Sequence, residues 1–254
     1  MEASGLSNSM MLSIQELSYS FEEEKPIFQG LTFDVKRGEF VSVIGASGSG
    51  KSTLFKLVTG LLEPDQGDIL IDGQRTGKRL GSVGYMPQKD LLLPWRTVLE
   101  NVLLPLEVTK EHKQAKLHEI KEWLARFGLA DYENTYPKEL SGGMKQRVAF
   151  LRTLMTGKEL LLLDEPFGAL DSLTKRNMHQ WLLGLWGELQ KTVLFITHDL
   201  EEAILLSDRV YVLHDKGIKE MKVTLPRPRS SQLIYQSEFI TMRKELEWLI
   251  QNEN

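Results

Sequence analysis

The sequence predicts an α/β protein in which a mainly parallel sheet is flanked by helices and interrupted by a helical insertion. Three observations predict it. First, the short apolar runs Phe40-Val-Ser-Val-Ile44, Leu160-Leu-Leu-Leu163 and Thr192 to Ile196 read as strands buried on both faces. Second, helical periodicities alternate with them, as in Met178, Trp181, Leu185 and Leu189. Third, glycine-rich or acidic turns follow two of the strands at the ends where open sheets of this class hold ligands.

Taken in order, the early chain reads as strands and turns. Phe33 to Val35 leads into a Lys36-Arg37-Gly38 turn, then the Phe40 strand, then a Gly/Ser loop. Thr53 to Thr59 reads as a helix that Gly60 can cap, and Ile69 to Ile71 with Asp72-Gly73 as a strand and turn. From about Asp90 to Thr156 the character is helical. Leu117, Ile120, Leu124 and Phe127 share one face, with Gly128 as a stop, and Met144, Val148, Leu151 and Met155 share another. After the later strands, Pro226 and Pro228 mark a short linker, and Phe239, Met242, Leu246 and Leu249 a terminal helix.

Bulk properties bound the rest. At 254 residues the chain has the length of one large or two small domains, and its 41% apolar content supports a substantial core. A net charge of -4 speaks against a general nucleic-acid binder, so no nucleic-acid partner is expected. With no cysteine, disulfides and thiolate metal sites are excluded. No apolar window is long enough to cross a bilayer, and the polar stretch Met1 to Met11 lacks the pattern of a secretory signal. Any membrane link is expected to run through a partner.

Two segments carry chemistry on their own. Gly45-Ala46-Ser47-Gly48-Ser49-Gly50-Lys51-Ser52, followed by Thr53, matches G-x-x-x-x-G-K-[ST] in full. Glycines let such a loop turn its N–H groups onto phosphate oxygens, and the following helix adds its positive end. Lys51 is expected on the β- and γ-phosphates and the Ser52 hydroxyl on Mg²⁺. The second segment is Leu160 to Leu163 closing in Asp164-Glu165. Alone it is a buried strand and a solvated turn. Beside a phosphate loop, Asp164 is expected to hold Mg²⁺ and Glu165 to act as general base on the attacking water.

Further segments resemble one family in their order and spacing. They are Leu140-Ser141-Gly142-Gly143-Met-Lys-Gln146-Arg147, Gln88 after Gly84-Tyr-Met-Pro, Ala169-Leu170-Asp171, Thr197-His198-Asp199, and the aromatic pair Tyr19 and Phe21. From about residue 12 to 225 the chain is similar to the ATP-binding cassette ATPases. The resemblance implies a P-loop NTPase core with a mainly parallel sheet, N-terminal antiparallel β strands and an inserted helical subdomain. The ATPase domain is expected over 12–225, its insertion at about 90–156, and a linker with a short helix over 226–254.

The resemblance also implies roles. Ser141, Gly142 and Gly143 match the signature loop that contacts the γ-phosphate held by an opposite subunit; a plain helix N-cap is the alternative. His198 matches the switch histidine at the γ-phosphate. Gln88 matches the glutamine that senses Mg²⁺ and the attacking water. Asp171 matches the loop aspartate that communicates across a dimer, and it also suits a helix N-cap. An aromatic ring stacks on adenine, with Phe21 favoured over Tyr19 and a core aromatic as the alternative. ATP and Mg²⁺ are the implied cofactors.

Gln88 to Val102, Phe167 to Asp171, Leu194 to Ala203 and Pro226-Arg-Pro-Arg229 further resemble importers of nitrate, sulfonates, taurine and thiamine precursors. That branch implies a homodimer on the cytoplasmic face of the membrane, an integral membrane permease, and an extracytoplasmic solute-binding protein. The sequence departs from the branch at Phe150-Leu-Arg-Thr153 and at the turn near His214 to Lys219, neither of which bears on the nucleotide. The rival reading is a soluble cassette ATPase. Ser52 and Leu140 stand too close for the coiled coil of repair versions, and the chain has one cassette where translation versions have two; cluster assembly stays open.

Overall fold

The computed structural model describes residues 10–21, 26–75, 77–110, 113–214 and 217–252. Most of the polar Met1 to Met11 stretch, and two residues of the turn near His214 to Lys219, lie outside the described residues. In chain order the strands and helices are β1 (Met10–Ser20), β2 (Pro26–Lys36), β3 (Phe40–Gly45), α1 (Lys51–Thr59), β4 (Gln66–Ile71), β5 (Gln74–Arg75), β6 (Gly84–Met86), α2 (Val98–Thr109) and α3 (Lys113–Arg126). Then follow α4 (Gly142–Leu154), β7 (Leu160–Asp164), α5 (Ser172–Leu189), β8 (Thr192–Ile196), α6 (Leu200–Leu206), β9 (Arg209–His214), β10 (Gly217–Lys222) and α7 (Ser237–Gln251).

Two sheets result. A four-stranded antiparallel sheet runs β2-β1-β4-β5, and a six-stranded sheet runs β10-β9-β3-β8-β7-β6. In the second, β9, β3, β8, β7 and β6 pair in parallel and β10 adds an antiparallel edge. The expected parallel core and N-terminal antiparallel strands are both present. The leucines of β7 explain the layering, because successive side chains point to opposite faces. Leu160 and Leu162 pack with Leu54, Phe55, Leu57 and Val58 of α1 and with the four-stranded sheet. Leu161 and Leu163 pack against Val148 and Leu151 of α4 and Leu182 of α5. Helix α1 is thereby sandwiched between the two sheets, its N-terminus fixed at the end of β3.

The structure shifts several boundaries. Helix α1 begins at Lys51, not Thr53, because Gly50 takes φ 92°, a left-handed turn that closes the loop directly onto the helix. Helix α4 begins at Gly142, two residues ahead of Met144, the first residue of its apolar face, because the Ser141 hydroxyl accepts from Met144 N and caps it there. Residues 90–97 are not helical. Pro94 disfavours a helix there, and the buried Asn101 side chain pins the segment by accepting from Leu93 N and donating to the carbonyls of Leu93, Arg96 and Thr97. Thr97 and Glu100 then form a capping box that starts α2.

The proline-marked stretch after β10 is anchored. Arg229 is 6% exposed, and its guanidinium donates to the carbonyls of Leu225, Ile204, Leu205 and Ser207, closing the C-terminal end of α6. Burial, reinforced by the Arg227 charge, lowers its pKa to about 10. Beyond it Phe239, Met242 and Leu246 of α7 pack on Ala203 and Ile204 of α6 and on Val210 and Val212 of β9. Leu246 is fully buried. Leu246→Ala is expected to cost about 2–5 kcal/mol, read as a lower denaturation midpoint with an unchanged slope in urea. A midpoint equal to that of the parent chain would show that α7 does not steady the core.

Candidate active site

The loop over residues 45–50 connects β3 to α1 at the carboxyl edge of the parallel sheet. Two glycines there have steric reasons. A Cβ on Gly45 would meet Leu213 O at 2.6 Å, and a Cβ on Gly50 would meet the Ile27 side chain at 2.6 Å and Phe28 at 2.8 Å. Ser49 N donates to Ala46 O at 3.2 Å, which curls the loop. No side chain of Gly50 can cap α1, so the first-turn N–H groups of Lys51, Ser52 and Thr53 point toward the loop's concave side. The Lys51 ammonium lies across that concavity, donating to Gly45 O and Ala46 O at 2.8 Å each. Burial lowers its pKa, while the charges of Glu165 and Asp164 oppose the fall.

Those two carboxylates come from the end of β7, two strands away. Asp164 is 6% exposed and accepts from the Tyr85 hydroxyl at 3.3 Å. Burial and the neighbouring Glu165 charge raise its pKa, against the pull of Tyr85, Lys51 and Lys56. Burial and the Asp164 carboxylate push the Tyr85 phenol up to about 12. Glu165 leaves the strand with φ 44°, a left-handed conformation that is strained for a side-chain-bearing residue, and its N–H is tied to Ile196 O at 2.9 Å. The turn aims the Glu165 carboxylate at the loop. There Oε2 accepts from Gln88 Nε2 at 3.0 Å and lies 3.4 Å from His198 Nδ1. Strand β6 pairs with β7, so Gln88, just past β6, arrives beside Glu165. His198 arrives from the end of β8.

One cleft of about 560 Å³ gathers these groups, within the size range of a small-molecule site. Phe21, Gly45, Ser47, Gly48, Gly50, Lys51, Ser52, Thr53, Glu165 and His198 line it. Ala46 and Ser49 belong to the same loop, Gln88 bonds to Glu165 of the lining, and the Asp164 carboxylate lies within electrostatic reach of Lys51. The aromatic pair separates clearly: Phe21 is 60% exposed on the cleft, whereas Tyr19 is buried and meets Phe21 edge-on at 5.1 Å.

Ser141, Gly142, Gly143 and Asp171 do not line this cleft. Ser141 caps α4, and the Asp171 carboxylate caps α5 by accepting from Leu173 N and Thr174 N, contacts with Thr174 and Leu173 that hold its pKa below the usual carboxylate range. Gly142 and Gly143 pack on Leu170 and Thr174, so the two caps form one surface away from the chain's own loop. Sequence reasoning missed Ile27, a wall of the cleft, and Tyr85, the partner of Asp164. Tyr85 sits at the middle of β6, a strand of three residues that is too short to show alternation.

A family described as "ABC transporter" matches residues 28–168. The chain is 49% identical to the formylaminopyrimidine import ATP-binding protein ThiZ of Halalkalibacterium halodurans, covering 84% of each chain. It is 42% identical to the aliphatic sulfonates import ATP-binding protein SsuB of Bacillus cereus, over 87% of this chain and 89% of that one. Among solved structures it resembles the dimeric bacterial ABC transporter cassette MJ0796, with a TM-score of 0.73, 32% identity, and coverage of 85% of this chain and 100% of that one.

The raised pKa of Asp164 has a stability consequence. The folded chain holds that proton more tightly than the unfolded chain does, so stability falls as pH climbs from the ordinary 3.8 through the raised value. Above that window the charged carboxylate is a net cost. Asp164→Asn, tested without nucleotide, is therefore expected to raise the thermal midpoint near neutral pH and to match the parent chain below the ordinary carboxylate range. A lower midpoint at neutral pH would contradict this electrostatic reading.

Proposed function

This chain belongs to the ABC transporter family and is an ATP-hydrolysing cassette, and on that premise we propose that it drives a solute importer as one half of a homodimer. The observation that supports the reading most is that a single cleft is lined by Lys51, Glu165 and His198. In this reading the loop from Gly45 to Ser52 wraps the triphosphate, and Lys51 exchanges the carbonyls of Gly45 and Ala46 for β- and γ-phosphate oxygens, which are anionic and stronger acceptors. Phe21 stacks on the adenine. Ser52 and Asp164 offer a hydroxyl and a buried carboxylate, hard oxygen donors suited to Mg²⁺, which neutralises phosphate charge when bound. Gln88 stands beside them through its bond to Glu165.

Glu165 takes a proton from the attacking water as its oxygen bonds the γ-phosphorus and the bond to the β-γ bridging oxygen breaks. His198, beside Glu165, holds the γ-phosphate oxygens. Each site is completed by the other copy: its Ser141-Gly142-Gly143 cap presents the N-terminus of α4 to the γ-phosphate, and its Asp171 lies beside it. That Ser141 to Gly143 and Asp171 stand off the chain's own cleft supports a role toward a second copy. A γ-phosphate contacted by both copies favours the closed dimer, and hydrolysis removes the shared contact.

The remaining partners follow from the importer branch. No helix among the described residues is long and apolar enough to cross a membrane, so a separate permease carries the solute and holds this chain at the cytoplasmic face. Leu91 and Trp95, 58% and 71% exposed just after Gln88, support a permease contact at the edge of the insertion over about 90–156. The ATPase domain over 12–225 carries the motor, and the segment over 226–254 steadies it. An extracytoplasmic binding protein delivers a solute of the nitrate, sulfonate, taurine or thiamine-precursor type.

Glu165→Gln tests the core of the reading. The variant is expected to lose about 10²–10⁴-fold in turnover while still binding ATP, and to sediment as a dimer in MgATP. A monomer hydrolysing ATP at the parent rate would overturn it.

A further inference from the structure

Behind His198 lies a partly buried charged cage that neither the loop motifs nor the cleft accounts for. Glu202 of α6 is 2% exposed. Its Oε1 accepts from Lys175 Nζ of α5 at 2.7 Å and lies 3.0 Å from His179 Nε2, and its Oε2 accepts from Thr197 Oγ1 at 2.5 Å. Lys175 Nζ also donates to Asp199 Oδ2 at 2.8 Å. Asp199 N donates to Thr197 Oγ1 at 3.0 Å, and Asp199 Oδ1 accepts from the N–H groups of Glu201 and Glu202. Both residues flanking His198 are thus locked to one cage, whereas the His198 side chain is 60% exposed and touches only Glu165 among these groups. The imidazole extends from the backbone of 197–199, which is held by Thr197 N on Val43 O and, through the Thr197 hydroxyl and Asp199, by the cage of Lys175 and Glu202.

The cage also reaches the start of α5, the helix headed by Asp171. Lys175 N donates to Asp171 O at 2.9 Å in the first turn of α5, and the His179 ring packs edge-on against Phe167, in the loop after Glu165, at 5.3 Å. Burial alone would lower the Lys175 pKa, but its bonds to Asp199 and Glu202 raise it, so the ammonium stays charged.

We propose that Lys175 is a positioning residue for hydrolysis: through Asp199, Glu202 and Thr197 it aims His198 at the γ-phosphate and ties that aim to the helix headed by Asp171. The inference rests on the reading of His198 as a γ-phosphate contact.

The test is steady-state ATP hydrolysis by the full chain. Lys175→Met is expected to lower kcat about 10–100-fold with KM for ATP changed by less than about twofold, since positioning acts on the reacting geometry. Lys175→Arg, which can donate to both carboxylates, is expected to restore most of the loss. Thr197→Val, of equal volume, is expected to lower kcat as well and serves if Lys175→Met does not fold. In a His198→Ala background neither substitution should reduce turnover further, because effects through one residue are not additive. A full additional loss in that background, or parent-like kcat in Lys175→Met and Thr197→Val, overturns the proposal. Undiminished turnover in His198→Ala overturns the reading of His198 itself and this inference with it; a slow His198→Ala beside a fast Lys175→Met overturns this inference alone.

Discussion

The Lys51 ammonium is the constraint around which the site is built. It is pulled out of water at the carboxyl edge of the sheet, held by two backbone carbonyls, with two carboxylates at the end of β7, two strands away, within electrostatic reach. A desolvated cation costs free energy unless anions answer it. Asp164 answers incompletely, because it is itself buried and repelled by Glu165. The concave side of the loop therefore presents an under-compensated positive centre: a lysine, the N–H groups of a helix start, and glycines that leave no Cβ in the way. A polyphosphate is the ligand such a centre favours, and in this family that ligand is ATP.

The fold exists to hold those groups in register. They stand at the ends of four strands: Lys51 after β3, Gln88 after β6, Asp164 and Glu165 at β7, His198 after β8. Parallel pairing brings these ends to one edge, and burial of both sheet faces keeps the strands from sliding, since a one-residue slip would turn the leucines of β7 to the wrong layers. The sandwiching of α1 between two sheets fixes the loop from the opposite side. The same arrangement leaves Ser141 and Asp171 on a separate surface formed by the starts of α4 and α5. Under the proposed reading these two caps complete the cleft of a second copy, and association is then part of the mechanism.

Much of this was legible in the sequence because it is local. The glycine-lysine loop, the acidic end of a leucine run and the periodic faces of α3, α4 and α5 each declare themselves within a dozen residues. What stayed hidden is non-local. Strand β6 has three residues, so neither its existence nor the approach of Tyr85 to Asp164 left a pattern. The hairpin of β9 and β10 is disguised by Arg209, a buried cation answered by Asp34, Glu39 and Glu220 from distant segments. The tail around Pro226 read as a linker because its anchor is an arginine, normally a surface residue, whose partners are carbonyls at the end of α6. The cage of Lys175 and Glu202 was invisible for the same reason: lysine and glutamate on helices read as solvated faces until the fold buries them.

The central claim is that the positive centre at Lys51 is completed by a phosphate chain which a second copy closes over. A crystal structure of the chain with Mg²⁺ and a non-hydrolysable ATP analogue tests it most directly. The account expects two copies enclosing two nucleotides, each with Lys51 Nζ moved from the Gly45 and Ala46 carbonyls onto phosphate oxygens, and with Ser141 of the partner copy against the γ-phosphate. A nucleotide bound wholly within one chain, with Lys51 still on those carbonyls and Ser141 facing solvent, would contradict it.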